Sequence, residues 1–181
     1  MRFFTGFLIA IGLIVLLFVI ILKSGGPSTQ PFNLNSYATT GAISQLTIRG
    51  PITANQTFQS VQISVGSTQT NFSILQGYQG AVQSSQQFEN NETSYNVFLH
   101  ALTLTGFPNG SKDPKYNDYL GYCATGEQYI FELIENNSDI LRFWATSCGS
   151  EGSFRGDPGA ALALFQAQVP NYSQLTSNLP F

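Results

Sequence analysis

The stretch GYCATGEQYIFELIENNSDILRFWATSCG, residues 121–149, decides the fold. Apolar and polar residues alternate on both sides of Asn136-Asn137, which predicts two antiparallel strands. Asparagine tolerates the positive φ that a two-residue hairpin turn requires. If Glu135 pairs with Ser138, then Cys123 and Cys148 meet at the open end of the hairpin. A disulfide there closes a loop of about two dozen residues and is worth roughly 3 kcal/mol.

The same register predicts a shared face for three residues of this hairpin. It places Tyr129 opposite Trp144, and Arg142 on the same side of the two strands. Tyr, Trp and Arg are the residues that most often dominate the energetics of interfaces. Tyr129, Arg142 and Trp144 are therefore predicted to bind a partner. An alternative reading stays open, in which this face is an aromatic core with Arg142 stacked on Phe131.

Strands are predicted in two further places before this hairpin. Residues 43–52 alternate and are broken at Gly50-Pro51. Residues 58–75 read as a second hairpin with Gly66-Ser67 as its turn, which pairs Val65 with Thr68. One face of that hairpin is apolar and the other carries only Ser, Gln and Asn, as in an antiparallel sheet that is wet on one side.

Two helices are predicted apart from the strands. Residues 92–104 have Asn90 or Asn91 as cap and an apolar stripe of Tyr95, Phe98, Leu99 and Leu102. The second helix begins at Asp157-Pro158, where Asp suits the cap and Pro the first turn, and it stops before Pro170. Paired strands with separate helices predict an α+β domain with an antiparallel sheet and two helices packed on it.

The N-terminal residues predict a transmembrane helix. Residues 3–22, FFTGFLIAIGLIVLLFVIIL, contain no charge, and twenty helical residues span roughly 30 Å, the thickness of the hydrocarbon core. A signal peptide has a shorter apolar run, and Pro27 argues against cleavage just after this one. The predicted organisation is an anchor (1–23), a flexible spacer (24–41), an extracytoplasmic domain (42–173) and an irregular tail (174–181).

Charge and cysteine content predict the compartment and exclude one class of partner. Arg2 precedes the apolar run and Lys23 follows it, a slight preference for a cytoplasmic N-terminus. A disulfide indicates an oxidising compartment, so the domain is expected outside the cell membrane. Residues 24–181 contain five Lys and Arg against ten Asp and Glu, a net charge of −5 without a basic cluster. That balance excludes nucleic acid as a partner.

Few residues offer reactive chemistry. Cys148 with His100 would be a candidate nucleophile and base, but in an oxidising compartment the disulfide is the stronger expectation. His100 is the only histidine, and no His, Cys and Asp pattern has metal-ligand spacing. The glycines and serines of residues 149–159 match neither GxSxG nor a P-loop. No catalytic residue, metal or cofactor is predicted.

Six Asn-x-Ser/Thr sequons occur in the chain. In a eukaryotic secretory protein each of them accepts a glycan, but a chain rich in Asn, Ser and Thr also produces such triplets by chance. They are at Asn55, Asn71, Asn91, Asn109, Asn136 and Asn171.

The C-terminal half carries a resemblance. The pattern GYC123xxG126, FW144xxSC148G, F154RG156 and LFQAQVPNY172, over residues 119–173, resembles uncharacterised single-pass membrane-anchored proteins of small-genome, Saccharibacteria-like bacteria. The resemblance implies an extracytoplasmic location and a regular fold, and no activity.

Three functions follow from these expectations. The first is a membrane-tethered binding or cell-surface structural module with a protein or surface-polymer partner. The second is a tethered hydrolase that acts on the envelope, which needs acid and base groups in one cleft. The third is a pilin-like subunit, because Gly6-Phe7 resembles the processing site of type IV pilins. The glutamate of that family would fall at Ile11, and its long helix would have to cross Gly25-Gly26-Pro27.

Overall fold

The computed structural model of the chain describes residues 32–181. The predicted anchor (1–23) and residues 24–31 of the predicted spacer lie outside the described residues. None of the helices within residues 32–181 has the length and apolarity needed to cross a membrane.

Within residues 32–181, six strands form one antiparallel sheet in the order β4-β3-β2-β1-β5-β6. Neighbours along the chain pair with each other except where β5 returns to lie beside β1. The strands are β1 (Ile43–Arg49), β2 (Gln59–Val65), β3 (Gln69–Gln76), β4 (Ala81–Glu89), β5 (Gln128–Glu135) and β6 (Ser138–Thr146).

The helices begin at the predicted caps. The Asn91 side chain accepts from the backbone N–H of Ser94 at the start of α1 (Glu92–Leu104). Asp157 does the same for Ala160 in α2 (Pro158–Gln166), with Pro158 in the first turn. These bonds satisfy backbone donors that the first helical turn leaves free. A short helix, α3 (Tyr172–Leu175), and two 3-10 helices (Leu34–Thr39 and Pro114–Tyr116) complete the set within residues 32–181.

The core lies between the helices and one face of the sheet. Phe165 of α2 is fully buried, with its ring 5.1 Å from that of Phe98 in α1 and 6.4 Å from that of Phe131 in β5. Leu46, Ile63 and Leu133 contribute the buried side chains of three neighbouring strands. The prediction of an α+β domain with an antiparallel sheet and helices is confirmed.

The folded region is longer than predicted at both ends. Leu34 and Ala38, in the predicted spacer, are buried in the core because their spacing turns both toward it. The tail is not irregular throughout, since α3 extends into it and Leu179 and Phe181 pack against the core. Sparse apolar residues in a Ser- and Asn-rich segment gave no periodic signal at either end.

The β2–β3 hairpin forms with a register two residues away from the predicted one. Val65 pairs with Thr70, not Thr68, and the turn is Ser67-Thr68 because Gly66 bonds to the carbonyl of Gln69 at 2.9 Å. Asn90 holds this turn through its side-chain bond to the Gly66 carbonyl at 2.8 Å. A shift of two residues keeps every side chain on its predicted face.

β4 was not predicted. Its sequence, AVQSSQQFE, lacks alternating apolar residues, and residues 81–87 are all exposed. It forms because β3 offers backbone partners along its length, which a hydrophobic pattern cannot reveal.

Candidate functional site

The hairpin of β5 and β6 forms as predicted both at its turn and at its open end. Asn136 and Asn137 have φ of 49° and 61°, and Glu135 pairs with Ser138. At the open end the Cys123–Cys148 disulfide is present, with the Cα atoms 5.6 Å apart. The predicted disulfide is confirmed, and Cys148 is therefore not free to act as a nucleophile.

An extra residue in β6 changes which residues share a face. Ile134 pairs with Asp139, but the next pair is Leu133 with Leu141, so Ile140 has no partner of its own. Beyond this β-bulge, Trp144 lies opposite Ile130 rather than Tyr129. The prediction that Tyr129, Arg142 and Trp144 share one face is wrong. The bulge was invisible in the sequence because both faces of this hairpin are largely apolar.

Trp144 is a structural residue. It is only 3% exposed, and its indole Nε1–H donates to the carbonyl of Tyr116 at 2.7 Å. The Tyr122 ring lies 4.8 Å from the indole. Trp144 therefore holds the loop of residues 107–122 against the helix-free face of the sheet, and it offers no surface to a partner.

Tyr129 lies on the opposite face, under the helices. Its hydroxyl donates to Glu127 Oε2 at 2.6 Å. Burial and then this bond to Glu127 raise the pKa of Tyr129 above its ordinary value, and burial raises the pKa of Tyr172 nearby. Both phenols stay protonated at neutral pH, so they act as hydrogen-bond donors and not as bases.

A cavity of about 160 Å³ lies beside Glu127. Glu127 is the only acidic side chain among the residues that line it, and Leu179 and Phe181 form one wall. An acid–base pair of the kind that cleaves glycosidic bonds needs two carboxyl groups across one cleft. This cavity therefore offers a hydrogen-bonding pocket rather than a hydrolytic pair.

Arg142 lies on the helix-free face with its side chain 46% exposed. Its Nη1 is 3.2 Å from Glu132 Oε1 and 3.6 Å from Asp139 Oδ2. Its guanidinium also lies 5.8 Å from the ring centre of Tyr119. The alternative of Arg142 stacked on Phe131 is wrong too, because the bulge in β6 places Arg142 on the helix-free face while Phe131 lies in the core. Of the three predicted partner-binding residues, Arg142 alone is both exposed and on this face.

A chain of polar side chains runs from Arg142 across the helix-free face. Glu132 is buried and accepts through Oε2 from Gln45 Nε2 at 2.9 Å. Ser64 in turn donates to Gln45 Oε1 at 2.9 Å. The buried carboxylate is thus paired with a cation and also hydrogen-bonded, as a charge away from water must be.

The loop of residues 107–122 covers the β5–β6 half of this face. Tyr116 packs with Ile130 and Trp144 in a small second cluster, and its hydroxyl donates to Glu151 Oε2 at 2.6 Å. That bond, followed by the nearby Lys115, lowers the pKa of the Glu151 carboxyl. The part of this half around Ile130 and Trp144 is therefore closed, while Arg142 stays exposed.

Tyr119 marks the border between the closed and open halves. The guanidinium of Arg49 lies 5.3 Å from its ring centre and 5.0 Å from that of Phe58. Arg49 Nε is buried without a hydrogen-bond partner among residues 32–181, so ring contacts stabilise this cation. The border therefore carries two arginines, at positions 49 and 142, around one tyrosine ring.

The β1–β4 half of the face is open, and its charged residues are confined to two strand ends, Arg49 of β1 and Glu89 of β4. The pairing of β1, β2, β3 and β4 places outward side chains in two neighbouring rows that cross the strands. Each row contains one residue from each strand. The Gln45 row consists of Gln45, Ser64, Asn71 and Gln87. The Thr47 row consists of Thr47, Gln62, Ser73 and Ser85. Every member of both rows is partly or fully exposed.

The two rows differ in what their side chains already bind. Gln45 and Ser64 belong to the polar chain that ends at Arg142, and Gln87 donates to Gln69. The four side chains of the Thr47 row have no hydrogen-bond partner among residues 32–181. The alternation in β2 and β3 predicted a wet polar face, but only the strand order brings these four side chains into one line.

Metal binding has no support in the described part of the chain. No three His, Cys, Asp or Glu side chains within residues 32–181 are grouped so that they could hold an ion. His100 is exposed on α1. The Thr47 row is the candidate site because it offers accessible and unpaired donors and acceptors.

Comparison with protein-family models, with curated proteins and with solved structures finds no match to this chain.

Proposed function

We propose that the protein is a membrane-tethered extracytoplasmic binding module whose open sheet face takes a neutral, hydroxyl-rich polymer such as a cell-surface polysaccharide. The observation that carries the proposal is the Thr47 row, four accessible uncharged side chains without partners among residues 32–181. Amides and hydroxyls both donate and accept hydrogen bonds, as the hydroxyls of a sugar require.

Geometry supports an extended ligand. Neighbouring strands are about 4.8 Å apart, so a row that crosses four strands offers a hydrogen-bonding group at each such step. That step is comparable to the length of one hexose unit in a chain. Tyr119 lies at the border of the face and offers an aromatic surface on which a sugar ring can stack.

Charge and hydrophobicity support a neutral ligand over the alternatives. Residues 24–181 carry a net charge of −5, which repels polyanions. The centres of stable protein–protein interfaces are apolar, whereas the two rows contain no apolar side chain. A pilin-like or hydrolytic role gains no comparable observation from the described residues.

The ligand is tested by a panel of neutral oligosaccharides presented to the full-length protein in detergent. The double variant Thr47→Ala with Gln62→Ala removes two central members of the row, and we expect at least a tenfold weaker affinity for any glycan that binds. Gln174→Ala is the matched control, because Gln174 is exposed on α3, away from the sheet rows. Binding to no glycan, or equal binding by the double variant, would contradict the proposal.

The tether is tested separately. Residues 3–22 are proposed to span the bilayer with the N-terminus in the cytoplasm. The full-length protein should then stay with membranes after alkaline carbonate washing. In cells whose outer envelope layers have been removed but whose cell membrane is intact, added protease should digest residues 32–181. Release of the protein by carbonate, or protection of the domain from protease, would contradict the proposed membrane anchor.

A further inference from the structure

β4 is an edge strand that is protected at its start by a β-bulge at Gln83 but lacks the usual protection along Ser84–Glu89. Residues 81–87 are exposed and Val82 is 65% exposed. Natural edge strands avoid pairing with other chains through lysines, prolines, inward charges or covering loops. β4 contains no lysine or proline, and its only charge is Glu89 at its end. Its one irregularity is a register shift at Gln83, which leaves Ser84–Glu89 as a regular segment.

The opposite edge of the sheet is covered at Trp144, near the end of β6. On β6, the N–H of Trp144 donates to Ser153 Oγ at 2.8 Å, and its carbonyl accepts from the N–H of Phe154 at 3.0 Å. A Cβ built on Gly152 would lie 2.3 Å from the Trp144 carbonyl oxygen, so only glycine allows this close approach. The fold therefore blocks strand addition at Trp144 on β6, whereas no such block lies along Ser84–Glu89 of β4 among residues 32–181.

We propose that β4 pairs antiparallel with β4 of a second copy of this chain, around a two-fold axis at Gln86. This register places Gln86 opposite itself, Ser85 opposite Gln87, and Ser84 opposite Phe88. Glu89 then faces Gln83 and not a second Glu89, so no like charges meet in the pair. A head-to-tail pairing of β4 with β6, which would build an open filament, is blocked at Trp144.

A second copy suits this edge because the regular segment is complementary to itself. Residues 84–88 are neutral in both copies. A partner with a charged strand would therefore find no opposite charge to pair with on this segment. The pairing also joins the sheets. Ser85, the end of the Thr47 row, would lie beside Gln87 of the second copy, the end of its Gln45 row. The dimer does not rest on the proposed ligand and would exist without it.

The experiment measures the mass of the full-length protein in detergent by sedimentation, over a roughly hundredfold range of concentration. We expect twice the monomer mass at the upper end. Gln86→Lys places two lysines opposite each other on the axis and should restore the monomer, with an unchanged circular dichroism spectrum. Gln174→Lys on α3 is the matched control and should remain dimeric.

Cysteine substitution tests the register. Under mild oxidation Gln86→Cys should give a covalent dimer, because paired Cβ atoms on facing strands lie about 5 Å apart. Gln83→Cys, which faces Glu89 of the second copy, should form no covalent dimer. A monomer at every concentration, a Gln86→Lys variant that still dimerises, or equal cross-linking of both cysteine variants would overturn the proposal. The proposal would also be overturned if the protein binds a synthetic AVQSSQQFE peptide but does not dimerise at any concentration.

Discussion

Trp144 donates its indole N–H to the backbone carbonyl of Tyr116, 2.7 Å away. This bond joins the 3-10 turn Pro114–Tyr116 of the loop 107–122 to β6. It covers the helix-free face around Ile130 and Trp144 and leaves the β1–β4 half open. The division of this face thus depends on a contact made by the single tryptophan of the chain.

Fluorescence should report the burial of Trp144. Because the indole is 3% exposed, we expect blue-shifted emission in the native protein and little quenching by acrylamide. On unfolding, the emission maximum and the quenching by acrylamide should both change to the values of a solvent-exposed indole. Emission typical of an exposed indole in the native protein would contradict the closed half of the face.

Replacement of Trp144 by Phe should destabilise the domain. The variant leaves the Tyr116 carbonyl without its donor, which costs about 1–3 kcal/mol in the free energy of unfolding. Urea unfolding followed by circular dichroism measures the change. Tyr122→Phe is the control, because the Tyr122 hydroxyl has no hydrogen-bond partner within residues 32–181. Equal costs for the two variants would contradict a specific role of the Trp144 bond.

The hairpin turn should reject β-branched residues. Asn136 has a φ of 49°, a conformation that costs an ordinary L-residue about 1–2 kcal/mol. We expect Asn136→Val to lower the free energy of unfolding by that amount, as measured by urea titration. Asn71→Val, the same change in the middle of β3, should cost less because valine suits strands. If the two variants unfold alike, the turn does not have the conformation described.

Loss of the disulfide should weaken the domain without changing its fold. Cys123 and Cys148 are 25 residues apart, and a loop of this size is worth roughly 3 kcal/mol in the chain-entropy model. The double variant Cys123→Ser with Cys148→Ser should unfold at a lower urea concentration. Added reductant should shift the wild type in the same way and leave the variant unchanged. If reductant does not change the urea unfolding of the wild type, the disulfide contributes nothing to the free energy of unfolding.

High pH should destabilise the domain through Tyr129. Its pKa is raised above the ordinary value of 10.0 by burial and by the bond to Glu127. A group with a raised folded-state pKa contributes stability that is complete below its unfolded pKa and is lost as the pH rises above it. We therefore expect the free energy of unfolding to fall above pH 10, and to fall less steeply in Tyr129→Phe. Identical slopes for the two proteins would contradict this environment for Tyr129.

Local signals in the sequence were sufficient for much of the fold. The caps at Asn91 and Asp157, the Asn136-Asn137 turn and the cysteine pair each depend on neighbouring residues alone, and the structure confirms them. β4 could not be predicted because its side chains are polar throughout and its partner is supplied by the sheet.

The candidate site was harder to predict because it depends on register. One unpaired residue, Ile140, separated Trp144 from Tyr129 and removed the predicted aromatic face. The Thr47 row depends on three strand pairings at once. A shift of the β2–β3 register by two residues, as the sequence suggested, would have placed Gln62 beside a different residue of β3.

The most direct test of the account is a side-chain amide titration by NMR. Spectra of the ¹⁵N-labelled full-length protein in detergent are recorded while a neutral oligosaccharide from the panel is added. The account predicts that the side-chain amide signal of Gln62, in the Thr47 row, shifts with saturable dependence on ligand, while that of Gln174 on α3 stays in place. Saturable shifts confined to Gln174 and the helices, with Gln62 unchanged, would contradict the claim that the open sheet face is the binding site.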